Sequence, residues 1–158
     1  METINRKINK KIRTLYAFAF VFIFVAGGFF LLRNRDMPQT GPYVKIGGVD
    51  VSVEFALDPV AQAKGLSGRD GLEENTGLLF IFDNPGKQGF WMKDMKFPID
   101  IIWIGEDMRI AYIKDDARHD GSLEVFSPDK DAKYVLEVQS GFSKNRDLKV
   151  GDLVEMHI

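Results

Sequence analysis

Two carboxylates stand where a sheet interior has no ordinary use for charge. Asp100 lies between Ile99 and Ile101, and Glu137 lies between Leu136 and Val138, each inside an otherwise apolar run. At a suitable separation such a pair would permit general acid/base work, glycoside hydrolysis included. The plainer reading is that Asp100 pairs with Arg69 or Lys93. Arg69 follows Gly68 at the end of a short helical stretch. A guanidinium fixed there would clamp a carboxylate or phosphate through two parallel hydrogen bonds. The structural alternative ties that helix end to Asp100 or Glu137, because buried ion pairs can fix a loop with no ligand involved.

Trp91 and Trp103 are the two tryptophans of the chain, each close to a charged residue such as Lys93 or Asp100. They would form a stacking platform for a sugar ring or an apolar peptide side chain, or else both belong to the core. Phe90 and Trp91 are neighbours in an expected strand, so they point to opposite faces. Lys93, two residues after Trp91, shares its face and brings a cation within reach of the ring. The candidate ligand-binding residues are therefore Arg69, Trp91, Lys93, Asp100 and Glu137.

Other chemistries are excluded by residue type. The chain has no cysteine, which removes disulfides, cysteine-ligated zinc and thiol catalysis. His119 and His157 share no ligand spacing. The polar segment 114–133 carries Asp115, Asp116, Asp120, Glu124, Asp129 and Asp131. A calcium-loop template begun at Asp116 finds Arg118 at its third position and Ser127 at its twelfth, where Asp and Glu are required. No metal or cofactor is expected. No nucleophile elbow, phosphate loop or dinucleotide fingerprint is present.

The elements that must position these residues centre on the stretch from Gly77 to Ile104. Its apolar runs, Gly77 to Phe82, Gly89 to Met92 and Ile99 to Ile104, are separated by Asp83-Asn84-Pro85-Gly86 and by Lys93 to Pro98. Short β-branched and aromatic runs bounded by turn residues read as buried strands. Upstream, residues 43–46 and 49–57 flank Gly47-Gly48 as a hairpin, and Val49, Val51, Val53 and Phe55 alternate with polar residues. Asp58-Pro59 is an N-cap followed by proline at the first helical position, and Gly68 and Gly71 end the helix. Strands follow at 109–114, 134–138 and 153–158, with a short helix or turn at 141–146. The pattern is mainly β: a compact sandwich or barrel with one or two short helices, not a βαβ fold.

The termini differ in charge. Residues 1–14 carry Arg6, Lys7, Lys10, Lys11 and Arg13 against Glu2, whereas residues 36–158 carry 14 Lys/Arg against 22 Asp/Glu. An acidic domain repels phosphate backbones, which disfavours a nucleic-acid partner. Between them, residues 15–32 are free of charge and as a helix would span roughly 27 Å, about a bilayer core. With the basic cluster before it, this segment reads as a signal anchor with the N-terminus inside and the lipid bilayer as a partner. The alternative is a cleaved signal peptide at Val25-Ala26-Gly27, against which Phe29 to Leu32 continue the apolar run. The expected organisation is a basic cytoplasmic tail at 1–14, an anchor at 15–32, a linker at 33–42 and an extracytoplasmic β domain at 43–158.

Gly65-Leu66-Ser67-Gly68-Arg69, Gly77-Leu78-Leu79-Phe80, Phe90-Trp91-Met92-Lys93, Pro98-Ile99-Asp100-Ile101-Ile102 and Val150-Gly151-Asp152 occur in that order. This set resembles the family called domain of unknown function 192, small bacterial and archaeal proteins often exported or membrane-anchored. The resemblance covers about residues 43–158. It implies a compact mainly-β fold and brings no established activity. Asp94-Met95 stands where members usually have an Asn-Thr pair, and the Pro-Cys element many carry is absent from 114–128. A family function resting on that cysteine would not transfer.

The leading expectation is a non-enzymatic binding or accessory module of the cell envelope, with a glycan or peptide ligand. The rivals are a glycan hydrolase built on Asp100 and Glu137, and a ligand-free scaffold in which the same charges form an internal network.

Overall fold

The computed structural model describes residues 41–118 and 124–158. The expected basic tail, the anchor at 15–32, most of the linker and His119 lie outside the described residues. Among the described residues no helix is long and apolar enough to cross a membrane.

Seven strands form one sheet in the order β6-β5-β8-β3-β2-β1-β9. They are β1 (Tyr43–Ile46), β2 (Val49–Ala56), β3 (Thr76–Gly86), β5 (Ile99–Ile104), β6 (Ile110–Ala117), β8 (Ala132–Gln139) and β9 (Glu155–His157). β4 (Phe90–Trp91) and β7 (Val125–Phe126) make a separate antiparallel ladder. The sheet curls into a half-barrel, and an antiparallel bridge between Arg109 and Leu153 draws its two ends together. The backbone bonds from Ile110 N–H to the Asp152 carbonyl (3.0 Å) and from Val154 N–H to the Met108 carbonyl (2.9 Å) secure that closure.

The expected β class holds, with one addition. β2 and β3 are parallel, joined by a crossover that contains α1 (Pro59–Lys64). A βαβ unit is thus embedded in an otherwise antiparallel sheet. Its helix is six residues long, too short to leave a helical period in the sequence. Asp58 caps it as expected, accepting from Val60 N–H and Ala61 N–H at 2.9 Å each. The helix ends at Gly65 (φ 51°), earlier than Gly68, because the chain reverses there in a conformation that suits glycine. β3 also runs on through Asp83 to Gly86, with a register irregularity between Ile81 and Gly86, where the sequence had suggested a turn.

Period-two alternation gives the sheet two apolar faces. Inside the curl lie Val44, Ile46, Val51, Leu79, Ile102, Ile104, Leu136 and Val138, closed by Phe142 of α2 (Phe142–Asn145). On the outer face lie Leu78, Phe80, Ile101, Trp103 and Val135, covered by the crossover and by the β4/β7 ladder through Leu66, Phe90, Met92 and Met95. Burial on both faces explains why β5 reads as an unbroken apolar run.

Asp100 is the exception within β5, and it is fully buried. Its Oδ1 accepts from Asp116 N–H at 2.9 Å and Gly141 N–H at 3.1 Å, and its Oδ2 accepts from Ser143 N–H at 2.8 Å. Asp116 sits in a bulge of β6 at φ 47°, and Gly141 precedes α2 at φ 85°. One carboxylate therefore satisfies the irregular backbone of two neighbouring segments, which the ladder cannot do.

Asp100→Asn keeps the two bonds at Oδ1 if its oxygen takes that place, but then turns an amide donor toward Ser143 N–H. We expect a loss of about 1–3 kcal/mol in unfolding free energy by chemical denaturation, with a larger loss for Asp100→Ala. An Asn variant as stable as wild type would show that these bonds do not hold the 140–143 turn.

Candidate functional site

The sheet separates the residues that the sequence had grouped. Asp100 is paired with Val138 and shares its inner face, whereas Glu137 is paired with Ile101 and faces outward with the Trp103 cluster. The two carboxyls stand on opposite sides of one sheet and cannot converge on a substrate. The paired-carboxylate arrangement for hydrolysis is not formed. Asp100 also pairs with neither Arg69 nor Lys93, since backbone amides take its oxygens.

Arg69 meets a different carboxylate from those expected. Its guanidinium donates in parallel to Glu54 of β2, at 2.7 and 2.9 Å. The hydrogen bond from Arg69 holds the Glu54 carboxyl below its ordinary value, and the same pairing raises Arg69. The loop after α1 folds back across the end of β2, so Glu54 is the nearer partner. Its place on the exposed face of an alternating strand gave no hint of this.

The tryptophans divide. Trp103 is fully buried, donates its indole N–H to the Gln88 carbonyl at 2.8 Å and packs edge-on against Phe90. It is core, and no two-tryptophan platform exists. Trp91 is 46% exposed while Phe90 is buried, as their opposite faces require. Lys93 Nζ lies 5.7 Å from the centroid of the Trp91 ring, within cation–π range. The carbonyl of Lys93 accepts from Ser67 Oγ at 2.9 Å, which ties this segment to the crossover loop.

What remains is a pocket that contains Glu137 and Trp91. It is a cavity of about 120 Å³ between the crossover and β4. Glu137 forms the floor, Phe80, Phe82 and Phe90 contribute walls, and Gln62 and Trp91 stand at its margin. Gly65 is part of the lining; a Cβ there would stand in ordinary contact with Glu137 Oε2 at 3.6 Å, so it is the positive φ of the reversal that favours glycine. Sequence reasoning missed Gly65, Phe80, Phe82 and Gln62, whose patterns are those of an ordinary helix end and strand.

Glu137 is 4% exposed, and its Oε2 is buried with no hydrogen-bond donor among the described residues. Burial pushes its carboxyl from 4.5 up to about 8, with the positive charge of Arg69 pulling weakly the other way. At neutral pH the group is a neutral acid, able to donate through O–H and accept through its carbonyl oxygen. Among the described residues no cluster of acidic and histidine side chains could hold a metal ion.

The model of the family DUF192, described as "Uncharacterized ACR", matches residues 43–156. The chain belongs to that family. A protein of unknown function from Novosphingobium aromaticivorans has a similar fold, with TM-score 0.66 and 29% identity over 75% of this chain and 89% of that one. A protein from Sinorhizobium meliloti, described as a candidate transcription regulator, is similar with TM-score 0.67 and 28% identity over 73% of this chain and 91% of that one. No curated protein matches the chain.

The raised carboxyl of Glu137 has a signed consequence for stability. Between pH 4.5 and about 8 the folded chain keeps a proton that the unfolded chain has released. Stability from this group is therefore fully present below pH 4.5, declines as pH rises and levels off above about 8. The limiting slope is about 1.4 kcal/mol per pH unit. In Glu137→Gln that slope should vanish, so the variant gains on wild type with rising pH. Parallel stability curves from pH 5 to 8, measured by urea titration, would refute the raised value.

Proposed function

We propose that this DUF192 protein is a non-enzymatic binding module whose ligand enters the Glu137 pocket, held at the outer face of the cytoplasmic membrane by residues 15–32. The observation that carries the binding reading is Glu137 Oε2, a buried polar oxygen at a pocket lined in part by aromatic rings, with no hydrogen-bond partner in the described chain. Buried polar groups are nearly always hydrogen-bonded, and one left without a protein partner costs about 1–3 kcal/mol. A cost of that kind is understandable where a ligand supplies the missing donor.

Trp91 supports the same reading from the margin. A half-exposed indole beside a small polar-floored cavity offers stacking area to whatever part of the ligand projects outward. The membrane setting rests on the charge-free run at 15–32 and the basic cluster before it. It favours envelope peptides and glycan fragments as ligands. The acid/base alternative loses its support because the second carboxylate lies across the sheet, and the scaffold reading leaves the Glu137 oxygen unexplained.

A thermal-shift screen of the full-length chain in detergent micelles, against envelope peptides and glycan fragments, tests the proposal. A ligand should raise the melting temperature of wild type, and Glu137→Gln and Trp91→Ala, both folded, should reduce the shift by half or more. A ligand that shifts all three equally binds elsewhere. No shift with any compound would make Glu137 a scaffold residue.

A further inference from the structure

Resting on the binding reading above, we propose that the group seated against Glu137 is a primary ammonium on a short apolar stem, as in an alkylamine or a lysine-type peptide side chain. Three features of the pocket point to this chemistry. Its floor holds an oxygen, Glu137 Oε2, with no hydrogen-bond partner in the described chain, which an incoming donor would satisfy once the carboxyl is ionised. Its lining, polar in part, includes the rings of Phe80, Phe82, Phe90 and Trp91, and aromatic faces attract cations. Its volume of about 120 Å³ suits an amino group and a few methylenes, well below the roughly 300–1,000 Å³ of pockets for larger organic ligands.

The charges around the pocket leave room for an incoming cation. Arg69 acts on Glu137 only through space: both of its terminal nitrogens, Nη1 and Nη2, are bound to Glu54 and none of its N–H groups bonds Glu137. Lys93 stands over the Trp91 ring. Lys64 lies in the lining at the exposed end of α1 without a hydrogen bond to Glu137, and among the described residues the lining holds no other charged side chain. No cation of the described chain hydrogen-bonds the buried carboxyl. An ammonium would supply both the missing donor and the missing charge.

Seating it requires a balanced proton step. The amine keeps its proton, having a pKa near 10.4. The Glu137 carboxyl, neutral before binding, gives its proton to solvent and becomes the partner carboxylate. Binding thus releases nearly one proton at pH 7 and little at pH 9, since the group titrates at about 8. The dissociation constant should fall about tenfold over the same range.

Calorimetry on the full-length chain in micelles, at pH 7 and 9 and in two buffers of different ionisation heat, measures both quantities. The probes are n-butylamine, a capped lysine amide, n-butanol and butyrate. We expect the two amines to bind with proton release at pH 7. Butylamine the tighter would identify free amines as the source, and the lysine amide the tighter would identify peptide side chains. Glu137→Gln should lose the pH dependence and at least tenfold in affinity, with its fold checked by melting temperature. Trp91→Ala, which leaves the core untouched, should weaken binding roughly two- to fivefold. Butanol or butyrate binding as tightly as butylamine would overturn the ammonium assignment while leaving the pocket a binding site. If no probe binds but a compound from the thermal-shift screen does so through Glu137, the assignment alone fails; if neither experiment finds a ligand, both readings fail.

Discussion

The alternation of side chains across one sheet decides what two acidic residues become. β5 and β8 are antiparallel neighbours, and Asp100 and Glu137 occupy adjacent positions along their ladder. Because successive residues point to opposite faces, adjacency in register becomes separation by the full thickness of the sheet. On the inner side, Asp100 meets three backbone N–H groups from irregular segments. On the outer side, Glu137 meets aromatic rings and no donor. The same residue class, one step apart, is a structural clasp in one case and an unanswered acid in the other.

The outer environment is made by the crossover. A parallel β2–β3 pair requires the chain to return to its starting edge, and a short helix with an irregular loop makes that return here. The crossover lies over the outer face, where Leu66 enters the core and Gly65 turns without a side chain beside Glu137. Arg69 arrives on the same loop, yet Glu54 at the end of β2 takes it in a two-point pairing. That pairing leaves Arg69 without a hydrogen bond to Glu137. A guanidinium free to reach Glu137 would favour the carboxylate; one held by Glu54 leaves burial as the larger influence.

Much of the fold is legible in the sequence because it follows local rules. Alternation in β2 as far as Val53, the apolar run of β5 and the Asp58-Pro59 start of α1 each correspond to the observed element, whereas Phe55, expected on the core face, is exposed and Ala56 is buried in its stead. So does the division of Phe90 from Trp91. The parallel crossover was not legible, since six helical residues carry too little periodicity to distinguish a crossover from a loop. The partners of Asp100 were not legible either: backbone amides at Asp116, Gly141 and Ser143 carry no residue-type signal. Glu137 was visible as a charge in an apolar strand, but its face depends on register and its isolation depends on Arg69 being engaged elsewhere. Both are properties of the assembled sheet. The anchor at 15–32 is a reading of the sequence alone.

A buried acid without a partner is a cost that a scaffold could shed by one substitution. Glutamine would keep the shape of Glu137, and leucine would add to the apolar cluster around Phe80, Ile101 and Trp103. Replacing buried charge by well-packed apolar groups is often neutral or stabilising. The opposite holds for Asp100, where an apolar residue would strand three backbone donors. The physical case for function therefore rests on the asymmetry between the two acids. Removing the inner one leaves amides unsatisfied, whereas removing the outer one leaves nothing in the described chain unsatisfied.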